Sequence, residues 1–305
     1  MRDAWIWLAV FAALLQALRT AAQKLLNERL SVLTTTYVRS LVGLPLMLAY
    51  LGGVIAWAGV PSAPPGRFFG YALVAALTQV AGTGALVSLF RTRSFATANQ
   101  LARTNVVFTA LVGATFFSDH IAAAGWMAIG MTLAGALMLS ARSGPAAIGE
   151  ANRSMTIRID PRAAGTGLFI GLMFGVCNVS IREASLSLGG DAVMLRAAVT
   201  VVVVTAFQVV LIGAWLAWRE KGFLAGIWGN RAQAAFIGAA SALGSICWFT
   251  AFTLANASYV IAVGQIEAVF AILVSWLYFR ERLRAIDFAG IAIIVAGVLL
   301  LRLAG

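Results

Sequence analysis

The sequence predicts an all-α integral membrane protein with ten transmembrane helices in two inverted five-helix repeats. Three observations predict it: a composition suited to lipid, ten apolar stretches of membrane-crossing length, and a second half that repeats the first at a fixed shift. Of the 305 residues, 61% are hydrophobic and 11% are charged. A soluble domain carries about 45–50% apolar and about 25% charged residues.

A helix needs about 20 apolar residues to cross a bilayer. The ten stretches run Ala4–Leu26, Thr35–Trp57, Phe68–Phe90, Phe95–Phe117, Ile121–Ala141, Ala164–Leu186, Ala192–Leu216, Ala232–Leu254, Ser258–Phe279 and Ala285–Leu303. Lipid offers no partner to an unsatisfied backbone group, so each span is read as a helix. The first is kept as a span and not a cleaved signal, because it lacks a small-x-small cleavage site and carries a polar face. The polar, arginine-rich stretch Arg142–Arg162, with Gly144, Pro145 and Pro161, reads as a linker. The expected organisation is a first repeat over 1–141, a linker over 142–163 and a second repeat over 164–305.

The repeat is visible at a shift of 162 (244 − 82), which places Gly82 on Gly244, Phe90 on Phe252, Val107-Phe108 on Val269-Phe270, Leu111-Val112 on Leu273-Val274, Phe117 on Phe279 and Ala134-Gly135 on Ala296-Gly297. Arg39 and Arg196 match near the starts of spans 2 and 7, at a shift that implies a small gap. Five spans per half is an odd number, so the second half enters the membrane inverted. Inverted repeats are the architecture of secondary transporters, with the substrate site near the midplane where the repeats meet.

The formal charge of +11 follows the positive-inside pattern and gives no reason to expect nucleic acid. Fourteen basic residues fall on one side: Lys24, Arg29, Arg91, Arg93, Arg142, Arg153, Arg158, Arg162, Arg219, Lys221, Arg231, Arg280, Arg282 and Arg284. Four fall on the other: Arg2, Arg67, Arg182 and Arg302. The count puts the first set in the cytoplasm and both termini outside, in a multi-pass protein of the cytoplasmic (inner) membrane. Cys177 and Cys247 lie inside apolar runs and read as packing residues. One histidine, His120, leaves no multi-histidine metal site, and no cofactor is expected.

At this point the residues resemble a known family. "IEAVFAILVSWLYFRERL" (Ile266–Leu283), followed by the glycine-punctuated "DFAGIAIIVAGVLLL" (Asp287–Leu301), is similar to the signature of the EamA family of the drug/metabolite transporter superfamily. The first-half copies are "NVVFTALVGATFFSDHI" (Asn105–Ile121) and "GMTLAGALML" (Gly130–Leu139). The resemblance implies ten helices, two inverted repeats and solute transport, often export of amino acids, other metabolites or drugs. The chain departs from the pattern where the family has proline, with Ala268 and Val106, so the bend of spans 4 and 9 is left open. The family's Gly-Glu-Arg-Leu corner is here Arg280-Glu281-Arg282-Leu283 and Ser118-Asp119-His120-Ile121.

The candidate site residues are the polar groups that sit deep in spans. Glu267 lies about three turns into span 9, and its repeat partner is Asn105 (267 − 162); Gln265 pairs likewise with Arg103. Ionisable groups at such depth are costly and face a cavity or a partner. Glu267 is expected either to exchange a proton or hold a substrate amine, or to pair with Arg103 or Arg39. Arg103 can hold a substrate carboxylate or phosphate with its planar fork, or neutralise Glu267. Gln16, Arg19, Thr20, Gln23 and Asn27 share one face of span 1, with Gln16 and Arg19 deep enough to line a cavity. Asn178 is their looser counterpart in span 6. Arg39 and Arg196 either snorkel to the surface or touch substrate. Trp248, Phe249 and Tyr259 either line the second-half cavity or pack. Gly82, Gly84 and Gly244 read as close-packing positions, and Asp119 and Glu281 as matching corners that pair with arginines.

These residues suit a secondary transporter exporting a small polar metabolite such as an amino acid, with the bilayer and a small-molecule substrate as partners and protons as the candidate coupling ion. The nearest alternative is a multidrug exporter binding cations at Glu267 over aromatic faces, which the several arginines would repel. A flippase of lipid-linked substrates or a scaffold is a further class. A membrane enzyme would need a catalytic constellation, and the spans show neither a histidine cluster nor paired acids. No nucleotide-binding motif is present, so an ion or substrate gradient would supply the drive.

Overall fold

The structure is a computed structural model and describes residues 3–27, 29–61, 63–88, 100–140, 161–190, 192–279 and 284–304. The sequence readings for Arg2, Arg91, Arg93, the linker up to residue 160, Arg280, Glu281 and Arg282 lie outside the described residues, while residues 161–163, expected in the linker, open the helix Pro161–Ser187. The described chain is all helix and turn: α1 (Ala4–Leu26), α2 (Val32–Ala58), α3 (Gly66–Ser88), α4 (Asn105–Phe116), α5 (Ala123–Ser140), α6 (Pro161–Ser187), α7 (Val193–Arg219), α8 (Phe223–Gly229), α9 (Arg231–Leu254), α10 (Ala257–Gly264), α11 (Glu267–Phe279) and α12 (Ala285–Ala304). Seven of these are long and apolar enough by themselves to cross a membrane, while Ala4–Thr20 and Ala257–Leu273 are shorter apolar helical stretches. Nine of the ten expected spans coincide with these stretches, and the described part of span 4 holds α4. The short α8 lies between spans 7 and 8, and span 9 is divided into α10 and α11.

Local signals explain several ends. Ser31 caps α2, its hydroxyl accepting from the Thr34 N–H at 3.1 Å. Asn256 caps α10 in the same way at Ser258. Pro64 and Pro65 precede α3, where missing N–H groups cost nothing.

The two repeats interlock. The first helix of each packs along the third helix of the other: α6 on α3, and α1 on α9. The last helices, α5 and α12, pack on each other. That contact depends on glycine. A Cβ on Gly135 would lie 2.8 Å from the Gly290 carbonyl oxygen, and one on Gly297 would lie 3.1 Å from that of Ala128, so the backbones touch as small-residue membrane interfaces allow. Of the three glycines singled out in the sequence, Gly82 is tight against Met173 and Phe174 at 3.3 Å. Gly244 makes ordinary contact with Leu15, and Gly84 has open space around it.

Arg302 pairs with Asp3 at 2.8 Å, which puts both ends of the chain on one face, called here the terminal face. Toward that face one large apolar core joins nearly every spanning helix, with Trp5, Ala76, Val106, Cys177, Val201, Phe252 and Val260 among its buried members. Toward the opposite, basic face the core divides. One group centres on Leu26, Val38, Ile212 and Ile237, a second on Leu139, Ala268, Ile272 and Ile294, and a third on Ala102 and Ile170. A further group, centred on Phe68, Ala184, Leu188 and Val199, lies at the terminal-face ends of α3, α6 and α7.

Candidate functional site

Spans 4 and 9 are both interrupted at mid-depth, at positions related by the 162-residue shift. In span 9 the Gln265 N–H bonds to the Ala262 carbonyl, Ile266 to Val263, Ala268 to Gln265, and Val269 and Phe270 both to Ile266. In span 4 Arg103 bonds to Gln100, Thr104 to Leu101, Val106 to Arg103, and Val107 and Phe108 both to Thr104. Each bond in one repeat has its counterpart in the other. The i→i−3 spacing is that of a tight 3₁₀ turn, and it restarts a helix at Asn105 and at Glu267. Neither break needs the proline that the family carries. Discontinuous helices at mid-membrane, with half-helix N-termini facing the centre, are how secondary transporters build solute sites.

Packing fixes both breaks. In the first repeat, α4 sits in a groove on α6 formed by Gly171 and Gly175, where a Cβ would meet Thr104 Oγ1 and Phe108 Cβ at 2.7 Å each. In the second, Trp248 lies against Gly264 and stacks on Phe252 at 5.9 Å. The equivalent residues in the first repeat are Leu86 (248 − 162) and Ala102 (264 − 162), which share one apolar group. The large–small pair Trp–Gly thus replaces the medium pair Leu–Ala at one position of the fold.

The breaks bring together most of the residues singled out in the sequence. Gln16 Nε2 donates to Glu267 Oε2 at 2.6 Å, and Arg103 Nη1 donates to Gln265 Oε1 at 3.4 Å. Arg19 and Arg103 both lie within electrostatic reach of Glu267, and Arg39 within reach of Arg19. The ion pair of Glu267 with Arg103 or Arg39, the packing alternative, is not formed among the described residues. A neutral amide takes that place, because the register of α1 against α11 presents Gln16. Three polar atoms at this centre are buried without a hydrogen-bond partner: Arg19 Nε, Arg103 Nε and Asn105 Oδ1.

Other candidates fall elsewhere. Asn178 is buried and donates to Thr109 Oγ1 at 3.2 Å, tying α6 to α4. Arg196 stands in the first turn of α7, twelve residues (208 − 196), or about 18 Å of helix rise, from Gln208, which is level with Arg39's neighbour Ser40. Phe249 and Tyr259 are buried in the large core; a Cβ on Gly125 would meet the Tyr259 hydroxyl. Thr20 is exposed and bonds back to the Gln16 carbonyl, and Gln23 is half-buried. Asn27 is half-buried too, with its Oδ1 unpartnered. The cysteines are free thiols.

Sequence reasoning passed over a second polar bridge. Ser40 donates to Gln208 Oε1 at 3.2 Å, and Gln208 Nε2 donates to Gln79 Oε1 at 2.5 Å. Two glutamines inside apolar spans were the available signal. It also passed over an apolar cleft of about 390 Å³ lined by Leu33, Leu77, Val80, Gly84, Leu211, Ile212 and Trp215. The cleft lies where α3 parts from α7. The equivalent pair, α2 and α9, stays close because Gly238 lets Val42 in.

On the terminal face Arg182 joins three elements. It pairs with Asp119 at 3.2 Å and with Glu183 at 3.1 Å, and its Nε donates to the Ala255 carbonyl at 3.3 Å. On the basic face Glu220 accepts from Ser31 at 2.6 Å and from Thr34 at 3.1 Å. Arg219 lies over Trp215 and Trp218, a cation–π anchor.

The sequence model of the EamA-like transporter family matches residues 3–141 and again residues 163–303. The chain belongs to the EamA-like transporter family. It is a multi-pass membrane protein and a membrane transporter of the drug/metabolite type. A solved crystal structure of a protein superposes on this EamA-like transporter with a TM-score of 0.72, over 99% of this chain and 98% of that one, at 12% identity, a likeness of fold alone. No curated protein matches the sequence.

Proposed function

We propose that this EamA-like transporter exports a small polar metabolite, such as an amino acid, across the cytoplasmic membrane by alternating access, with Glu267 as a proton-exchanging carboxylate. The observation that carries the reading is the pair of matched helix breaks, with Gln16–Glu267 on one side of the centre and Arg103–Gln265 across it. A carboxylate and guanidinium groups at one mid-depth site suit a small polar substrate. A carboxylate held by a neutral amide can take up and release a proton without breaking an ion pair. The pseudo-symmetry supplies the second state, since each repeat can adopt the packing of the other.

Metabolite profiling tests this reading. Extracellular metabolites are compared for cells expressing the wild type, Glu267→Gln and an empty vector, with membrane insertion confirmed for both proteins. The expected result is one solute class that accumulates outside only with the wild type. Three identical profiles would remove export of a common metabolite.

A further inference from the structure

The charges gathered at the breaks do not balance. Arg19 stands three residues, about one helical turn, from Gln16, which holds Glu267, and Arg103 holds Gln265, two residues from Glu267, a formal count of two positive charges against one negative. Glu267 spends its hydrogen bond on the neutral Gln16, so it withdraws no arginine from the site. Arg103 reaches only the neutral amide oxygen of Gln265 at 3.4 Å. The Nε atoms of Arg19 and Arg103 are buried and without acceptors. Two half-helices, α4 and α11, begin here, and the N-terminal end of each adds partial positive charge. Uncompensated charge inside a membrane is expensive, so a site left with excess positive charge calls for anionic oxygens.

We propose that the substrate this site takes is an organic anion, a metabolite whose carboxylate or phosphoryl charge is not cancelled by an amine, held between Arg19 and Arg103 at the paired breaks. The inference rests on the transport reading for its word "substrate" and narrows that reading to its anionic members. A zwitterion would leave the excess positive charge in place. A cation would increase it. A dicarboxylate or a phosphate ester offers the acceptors that the two orphaned Nε atoms lack, and a planar guanidinium binds either group through two parallel hydrogen bonds. Asn105, with its unpartnered Oδ1, stands beside Arg103 as a polar contact for a hydroxyl or amide of the same molecule.

The test is melting of the purified full-length protein in detergent, titrated at fixed ionic strength with succinate, inorganic phosphate, L-alanine and tetraethylammonium. Succinate or phosphate is expected to raise the melting temperature saturably, and the other two to leave it unchanged. Arg19→Gln and Arg103→Gln, each first shown to melt cooperatively without additive, are expected to bind the anion roughly thirtyfold or more weakly. Arg103→Lys, which keeps the charge without the fork, should fall between. Stabilisation by alanine or tetraethylammonium alone, equal anion binding by the glutamine variants, or no response to any of the four overturns the proposal. Counterflow of the same labelled probes in proteoliposomes separates the two readings. Anion binding without counterflow supports the anionic site and overturns transport. Counterflow of alanine or tetraethylammonium with no anion response supports transport and overturns the anionic site.

Discussion

Arg103 and Gln265 occupy the same position in the two repeats, 162 residues apart, and they touch: Arg103 Nη1 donates to Gln265 Oε1 at 3.4 Å. Residues related by a two-fold axis can meet only near that axis. The contact therefore marks the centre of the molecule, and Glu267 and Asn105 stand two residues further along each chain. A polar centre on the symmetry axis is where two inverted repeats can expose one site to either side in turn.

The Glu267 carboxylate is the acidic group placed at that centre. Glu267→Gln keeps the size of the side chain, so insertion and melting are expected to stay near wild type. Transport is expected to lose its dependence on pH. Rates measured in proteoliposomes across a series of internal pH values check this, and an unchanged profile removes the coupling role.

Trp248 and Gly264 are a matched pair. A methyl group on Gly264 would enter the Trp248 ring, so Gly264→Ala is expected to cost about 1–3 kcal/mol through overpacking. Trp248→Leu in the same chain should recover most of that loss, because Leu86 and Ala102 already coexist at the equivalent place. A double-mutant cycle on melting measures the coupling, and additive losses would show that the two sites do not share space.

Gly175 carries the break of span 4. Its Cβ would lie 3.0 Å from the backbone carbon of Phe108, and backbone cannot step aside. Gly175→Ala is expected to destabilise by about 1–3 kcal/mol. Gly84→Ala, with nothing near it, should change melting little. Equal effects in thermal denaturation would contradict the packing account.

Arg182 ties the two repeats together on the terminal face. Asp119 belongs to the first repeat and Arg182 to the second, so their ion pair crosses between repeats, while the bond to the Ala255 carbonyl holds the Arg182 side chain in place within the second. Arg182→Gln is expected to populate the state open to that face. Limited proteolysis or cysteine labelling of the terminal half, faster in the variant by severalfold, checks it.

Much of this was legible in the sequence because lipid imposes a narrow grammar. The ten spans, the inverted repeat and the depth of Glu267 follow from length, shift and residue type. The breaks were not legible, because neither Arg103-Thr104 nor Gln265-Ile266 contains a residue that forbids helix. They arise from packing against Gly171, Gly175 and Trp248, which is tertiary information. Gln16 as the partner of Glu267 was also hidden: both residues were singled out, but the rotation of α1 against α11 is not written in either segment. The Asp119–Arg182 pair spans 63 residues, and only the assembled fold brings it together.

The central claim is a mid-depth site that opens to alternate faces, and side-specific cysteine labelling tests it most directly. In a Cys177→Ala, Cys247→Ala background, Gln16→Cys is labelled with a membrane-impermeant thiol reagent from each face of oriented vesicles, with and without Arg182→Gln. The account predicts labelling from the basic face in the parent and added labelling from the terminal face once Arg182 is replaced. A cysteine at position 16 that reacts from neither face in either background, or from both faces equally in both, would contradict it.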